Sequence, residues 1–478
     1  MNWESVIGLE IHTQLNSRTK AFCDCKAEFG DKPNTNICPV CMGYPGSLPV
    51  VNEELIKKAL KLGIATKSKI NYKTKFDRKN YFYPDIPKNY QITQYDYPIC
   101  YNGKLTIDLK ERDIKDIRIN RIHMEEDTGK VFHDKDDKLT LIDYNRAGIP
   151  LLEIVTEPDL RSSEEAHVFL KELKGALRYL NISEANMEKG ELRVDVNVSV
   201  RKKGEELGTK VELKNMNSFK AVEKAIDYEI KRQKKLIING KKDDIKQETR
   251  MWIDDKGISR VMRTKEEAAD YRYFPEPDIP AFEIDREMFR KIKKSKIELP
   301  LEKKYRFINE YNISYYNASV LTSDFSLSNY FEEILENYDD GESAANFVIN
   351  ELLSLVNEND DIIDNIKVSP EYMYKILKLL DSDVISSKIA KKILGETYNT
   401  GRDPEIIVEE KGWKQMSDSD ELENIIENVI NENQDEYNRY KDGEKKLFGF
   451  FMGQVMKKTK GQANPKKANK ILRKKLEE

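Results

Sequence analysis

The chain has 478 residues, with 81 Lys and Arg against 85 Asp and Glu and a formal net charge of −4. That length corresponds to about three domains, and no apolar run is long enough to span a bilayer, which excludes a membrane protein. Hydrophobic residues at 39% suffice for a core at this size and exclude wholesale disorder, whereas a near-neutral balance leaves room for a local nucleic-acid-binding patch.

The opening residues, Met1-Asn2-Trp3-Glu4, lack a basic region ahead of an apolar stretch, so export is not expected. The first predicted element is a strand over Val6–Leu15, which sets Glu10 and His12 on one face. A cysteine cluster follows, Cys23-x-Cys25 and then Cys38-x-x-Cys41, with Pro39 and Gly43 as turn residues. Five cysteines, an odd number, in a chain without an export signal do not read as a disulfide framework; they fit the reducing cytoplasm, the expected location. Each pair can grip one side of a tetrahedral Zn²⁺. Four protein ligands leave no open position for chemistry, so the expected zinc is structural. Cys100 stands apart as an expected free thiol.

The strands that follow share an unusual face. Ile122 and Met124 alternate with Arg121, His123 and Glu125, and Ile149–Thr156 holds Glu153 in an apolar run. Leu192, Val194, Val196, Val198 and Val200 alternate with Arg193, Asp195, Asn197 and Ser199, as Val211 and Leu213 do with Glu212 and Lys214. Period two puts each apolar set and its polar set on opposite faces. An antiparallel sheet with its polar side in water explains any one of these strands. Together they present Glu, Asp, His, Asn and Arg with little of the filler found on solvated faces. Gathered carboxylates cost on the order of several kcal/mol per ion once water is reduced. Mg²⁺, held by carboxylates and nucleotide phosphate oxygens, would offset that cost, and neighbouring arginines and lysines would meet phosphate. Such a face can support phosphoryl transfer. No P-loop and no Rossmann or kinase glycine loop is present, and four histidines leave few candidates for a serine triad.

Residues 1–290, which carry these patterns, form the first expected domain. Residues 291–405 turn helical and polar, as in Pro370–Leu380, and 406–478 form a small helical tail. Segment 331–365 holds eleven acids and no Lys or Arg, a surface that repels phosphate. In the tail, Leu422, Ile425, Ile426, Val429 and Ile430 recur at helical spacing, followed by Leu447, Phe448, Phe451 and Val455. Asn464-Pro465 reads as an N-cap and first turn of a last helix. Residues 441–478 hold twelve bases against four acids. Among them Lys457, Lys458, Lys460, Lys466, Lys467, Lys470 and Arg473 are candidates for phosphate contact, a solvated face being the ordinary alternative.

Several blocks resemble, in order, the GatB family, the B component of the bacterial aspartyl/glutamyl-tRNA amidotransferase. They include IGLEIHTQL (7–15), CPVCMGYPGSLPVVN (38–52), RKNYFYPDIPKNYQITQYDYPI (78–99) and HMEEDTGK (123–130). DYNRAGIPLLEIVTEPD (143–159), LRVDVNVSV (192–200), KVELKNMNSF (210–219), YRYFPEPDIP (271–280) and GQVMKKTKGQANP (453–465) continue the series. The resemblance implies an α+β fold: an antiparallel-sheet cradle of the glutamine synthetase and guanido kinase type, then a helical domain and a mobile helical tail. It implies a ligase. ATP phosphorylates the side-chain carboxylate of Glu or Asp misacylated on tRNA(Gln) or tRNA(Asn), and ammonia displaces phosphate to give the amide. The ammonia comes from glutamine through an amidase subunit (A), with a small subunit (C) completing a heterotrimer.

In that light the expected Mg²⁺ and catalytic residues are Glu10, His12, Glu125 and Glu153, with Asp195 and Glu212 as further metal candidates. Arg193, Arg260 and Arg263 are expected to clamp the ATP phosphates, Lys79 to lie near the mouth of an ammonia passage, and the tail to hold tRNA. Some family members lack the four cysteines, so the chemistry does not require zinc. Two other readings stay open on the residues alone: an inert RNA-binding module with a zinc scaffold, and a free-standing ligase for a small carboxylate.

Overall fold

The computed structural model describes residues 3–110, 113–133, 139–264, 270–295, 298–414, 419–459 and 463–477. Contacts divide the chain into one unit running to Lys303 and a second from Lys304.

The strands of the first unit follow the sequence alternation. They begin with β1 (Trp3–Gln14), β2 (Lys69–Ile70), β3 (Lys73–Thr74), β4 (Asp77–Asn80), β5 (Tyr90–Thr93), β6 (Cys100–Asp108) and β7 (Ile114–Glu126). The hairpin β8 (Lys130–His133) and β9 (Thr140–Asp143) precedes β10 (Pro150–Thr156), β11 (Leu192–Lys202) and β12 (Val211–Lys214). Last come β13 (Glu248–Ile253), β14 (Ile258–Thr264), β15 (Phe274–Pro275) and β16 (Phe282–Glu283). Nine of them form one sheet in the order β14-β13-β12-β11-β1-β10-β7-β6-β2. The β12–β13 pair is parallel and the other pairings in this sheet are antiparallel. A small sheet, β15-β4-β5, stands apart from it.

Three helices cover the apolar face: α1 (Glu53–Ala65), α2 (Ser163–Tyr179) and α3 (Phe219–Ile238). Each starts where a short polar side chain satisfies a free backbone N–H. Asn52 accepts from Glu54, Ser162 from Glu165 and Ser218 from Ala221. Their inward faces, with Leu55, Phe169, Leu173, Val222 and Ile226, pack against Ile7, Leu9, Ile11, Ile122, Ile154, Val194 and Val196 in one core. Full burial stabilises each such side chain by roughly 1.5–3 kcal/mol. The layer of helices commits one face of the sheet to the core and leaves the other to the polar residues.

The second unit is helical, with two separate cores. Helices between Pro300 and Lys411 enclose Phe307, Phe331, Leu352, Ile376 and Ile393. Pro370–Asp381 is among them, capped by Ser369. The tail helices Ser419–Glu432, Phe448–Lys458 and Pro465–Glu477 bury Leu422, Ile426, Val429, Phe451, Val455 and Leu472. Asn464 caps the last helix, accepting from the N–H groups of Lys466 and Lys467 at 2.9 and 3.1 Å. The architecture is the expected mixed α+β class, with a large, mostly antiparallel sheet and a helical C-terminal part. No helix among the described residues is long and apolar enough to cross a membrane.

Candidate active site on the polar face of the sheet

Strand register converts separate alternations into one row. His123 on β7 lies opposite Glu153 on β10, Glu153 opposite His12 on β1, and His12 opposite Arg193 on β11. The neighbouring row sets Glu10 against Asp195. Glu125 is two residues from His123 and shares its face. Four strands distant in sequence thus bring two imidazoles and four carboxyl groups together.

The distances are short. His12 Nε2 is 3.2 Å from Glu153 Oε2, 3.4 Å from Glu125 Oε1 and 4.0 Å from Glu10 Oε1. His123 Nε2 is 3.2 Å from Glu153 Oε2 and 3.8 Å from Glu125 Oε2. Thr93 Oγ1, on the small sheet, donates to Glu125 at 3.2 Å. Glu125 and Glu153 are 1% and 6% exposed. Burial pushes the Glu10 carboxyl up, reinforced by the charge of Glu153. Burial would also raise Glu125 and Glu153, but the facing imidazoles win and hold both below the ordinary carboxylate value. For the imidazoles, burial is the largest influence and lowers the pKa. Around His12 it is outweighed by the Glu153 hydrogen bond and by the charges of Glu125, Glu153 and Glu10. Around His123 it is outweighed by Glu153 and Glu125, which bring that ring to about 9. His123 Nδ1 is buried without a hydrogen-bond partner among the described residues.

Two ligand groups meet at His12: His12 with Glu125 and Glu153, and His12 with Glu10 and Asp195. Within each, one donor atom per residue lies within 4.8 Å of the others. Oxygen donors with one imidazole nitrogen suit a hard divalent cation such as Mg²⁺. Glu212 is not in either group. It accepts from Thr249 Oγ1 at 2.6 Å and faces Lys214 Nζ at 3.3 Å, while Lys214 also pairs closely with Asp195.

All six carboxylate and imidazole candidates line a cavity of about 1190 Å³, together with Lys79, Arg193 and Arg263. Arg193 donates to Asp127 Oδ1 at 2.7 Å. Arg260 and Arg263 are an odd number of residues apart, yet both share a face. Thr249 pairs with Arg263 and Arg250 with Val261, so Met262 is an extra, bulged residue that resets the alternation. Arg260 is exposed and is not among the cavity's lining residues. Lys79 Nζ sits 4.9 Å from the centre of the Tyr271 ring.

A second cavity of about 240 Å³ lies beside the cysteines, lined in part by Lys20, Cys41, Lys88 and Glu126. A narrow space of about 10 Å³ shares Lys88, Glu126 and Gly148 with it, and Asp85, Gln91 and Asp127 with the large cavity. Lys88 and Glu126 form a close ion pair at this constriction.

The four cysteines place their Sγ atoms within 4.8 Å of one another. The Cys38 N–H and the fully buried Lys20 ammonium donate to Cys41 Sγ at 3.2 and 3.7 Å. A hydrogen bond from Cys23, together with these donors, brings the Cys41 thiol down to about 4 despite burial, while burial first of all pushes Cys25 up to about 12. Four sulfur donors with one already inclined to thiolate fit Zn²⁺. Cys100 is buried in the main core.

In the tail, Lys457, Lys458, Lys466, Lys470 and Arg473 are exposed and Lys467 is half-buried. Lys458 pairs with Glu432 at 2.5 Å, and the Arg473 guanidinium lies 5.5 Å from the Phe448 ring centre. Lys460 lies outside the described residues.

Sequence reasoning passed over His123, Asp127, Thr93 and Lys214 as members of the site. For His123 the signal was present, since it alternates in phase with Glu125. Its pairing with Glu153 depends on a register that alternation alone does not supply.

The GatB/GatE catalytic domain family matches residues 5–290, and a GatB domain family matches residues 329–476. The chain is similar to the B component of the aspartyl/glutamyl-tRNA(Asn/Gln) amidotransferase of Thermoanaerobacter pseudethanolicus, 50% identical over 477 residues and covering 100% of both chains. The protein of that name in Caldicellulosiruptor bescii is 48% identical over 481 residues, again covering 100% of both. That of Gloeothece citriformis is 48% identical over 486 residues, covering 99% of this chain and 98% of the other.

Proposed function

The chain belongs to the GatB family of tRNA-dependent amidotransferase subunits, and on that premise we propose that it performs the ATP-dependent half of the reaction. The polar face of the sheet is then a cradle of the glutamine synthetase type. The substrate is Glu-tRNA(Gln), Asp-tRNA(Asn) or both. A side-chain carboxylate oxygen of the tRNA-bound amino acid attacks the γ-phosphorus of ATP, and ADP leaves. Ammonia attacks the acyl phosphate carbon, inorganic phosphate leaves, and Gln-tRNA or Asn-tRNA remains. A free carboxylate is a poor acyl donor because oxide would have to depart; phosphorylation supplies the leaving group.

The observation that carries this reading is the cross-strand row of His123, Glu153 and His12 beside Glu125 and Glu10, with His123, Glu125 and Glu153 buried and Glu10 and His12 half-buried along one cavity. Such a cluster costs free energy unless cations compensate it. Glu10, His12, Glu125, Glu153 and Asp195 would hold Mg²⁺, which when bound neutralises nucleotide phosphate charge. Arg193 and Arg263, which line the cavity, would meet phosphate oxygens. Arg260 is a weaker candidate, being outside the lining.

The ammonia is supplied by an amidase partner, with a small third subunit in the complex. The chain of three spaces from the cysteine side to the large cavity, narrowed at Lys88 and Glu126, supports an internal route, and Lys79, which lines the large cavity, would stand near its mouth. The knuckle's zinc is structural. The basic face of the tail, residues 406–478, holds the tRNA.

The deciding experiment purifies the chain with its amidase partner and follows ATP-dependent conversion of Glu-tRNA(Gln) and Asp-tRNA(Asn). Formation of the amidated tRNA with ADP release is expected. ATP hydrolysis that proceeds equally without RNA and without residues 406–478 would favour a small-carboxylate ligase instead. No ATP turnover in the complete complex would leave an RNA-binding module.

A further inference from the structure

We propose that the aromatic side of the large cavity, formed by Phe82, Tyr95 and Tyr273, is a stacking site for an adenine base. The inference rests on the proposed function, because both of its substrates present adenine: ATP, and the 3′-terminal adenosine of a charged tRNA.

Phe82 is 87% exposed and Tyr95 57% exposed, and both line the same cavity as Glu125 and Glu153. Phe76, six residues before Phe82, shows what a structural ring does here: it is fully buried against Phe22 and Phe282. Phe82 has no such role, and a phenyl group left in water forgoes the stabilisation that burial brings. Tyr95 and Tyr273 stack face to face, with ring centres 4.3 Å apart and planes 10° apart.

The segments that carry these rings are tied down. Asn80 Nδ2 donates to the Tyr271 and Arg272 carbonyls at 3.2 and 2.7 Å, and the Asn80 N–H to Tyr271 at 2.9 Å. The Tyr95 N–H donates to Asp77 Oδ2 at 3.0 Å. Arg78 grips the buried Glu276 through two bonds of 2.7 and 2.8 Å, locking β4 to the segment after Tyr273. A preorganised aromatic surface binds a flat base with little ordering cost. The division of labour is chemical: carboxylates, imidazoles and arginines serve the anionic end of a nucleotide, and the rings serve its neutral base.

The test uses the assembled amidotransferase complex with Phe82→Ala and Tyr95→Ala, and with Phe82→Tyr and Tyr95→Phe, which keep a ring. ATP KM is measured beside the affinity for intact tRNA(Gln) and for the same tRNA lacking its terminal adenosine. The alanine variants are expected to weaken one adenine ligand roughly 5- to 100-fold, with the ring-keeping variants near wild type. A loss confined to ATP assigns the surface to the nucleotide. A loss on tRNA that disappears with the terminal adenosine assigns it to the tRNA end. Unchanged affinity for both ligands overturns the site, as does a tRNA loss that persists on the shortened RNA or a failure of the variants to assemble with their partners. A wild-type complex that makes no amidated tRNA overturns the functional reading itself, whereas a working wild type with indifferent variants overturns only the stacking surface.

Discussion

Glu125 and Glu153 are almost wholly buried on the sheet, whereas Lys457, Lys458, Lys466 and Lys470 of the tail stand in solvent. Both regions are crowded with charge, but the physics differs. The tail bases each reach water and pair at most with a neighbouring helix, as Lys458 does with Glu432, so their grouping costs the fold little. The sheet carboxylates have given up water, and against that burial the facing His12 and His123 rings hold them below the ordinary carboxylate value. Exposed charge needs no function to explain it, while a buried carboxylate–imidazole cluster with an open cavity above it does.

The sharpest way to break this contrast is Glu125→Ala. ATP-dependent amidation in the assembled complex should fall at least about 100- to 1000-fold, while glutamine hydrolysis by the amidase partner is at least partly retained. Near-normal amidation would show that the buried cluster is structural. Next in size is metal removal from the cysteines. If the site holds a structural zinc, as proposed, chelation should lower the first calorimetric unfolding transition by about 10 °C, as a loss of a few kcal/mol would. An unmoved transition would mean that the thiols do not depend on a metal.

On the tail side, replacing Lys457, Lys458, Lys466 and Lys467 by alanine should leave the melting temperature nearly unchanged. It should flatten the log–log salt dependence of tRNA binding by roughly 0.7–0.9 per lost phosphate contact. A wild-type slope would return those lysines to a merely solvated face. The smallest expected effect tests an ordinary ion pair in the helical unit. Asp403 is held below its usual value because the Lys375 ammonium, 2.5 Å away, and backbone donors outweigh burial. Its folded pKa is depressed, so its contribution is fully present above pH 3.8 and is lost as pH falls through the folded value. Asp403→Asn should cost about 0.5 kcal/mol at neutral pH, after solvent screening, and nothing in strong acid, as read by denaturant titration.

Much of the fold was legible because alternation is a one-dimensional signal. Leu192–Val200 announces its two faces without help, and Asn464 its role as a cap. Pairing is two-dimensional, and there the residues alone fall short. Glu10, His12, Glu125 and Glu153 were recognisable as polar residues out of place, but the row His123–Glu153–His12–Arg193 exists only in the register of four strands. Lys214 was visible on the polar face, but its pairing with Asp195 and Glu212 belongs to the folded strands. The rings of Tyr95 and Tyr273 are 178 residues apart in sequence, and no local pattern joins them.

The unpaired Met262 puts residue counting out of step with the pleat from that point on. Drawing this one residue into regular pairing would keep every charged group of the strand, yet would send Arg263 to the side occupied by helices, whereas deleting it would leave the two arginines two positions apart and still on one face. The bulge is thus itself part of the information that aims Arg263 at the cavity, and a change that irons it out can be more damaging there than the loss of the extra residue.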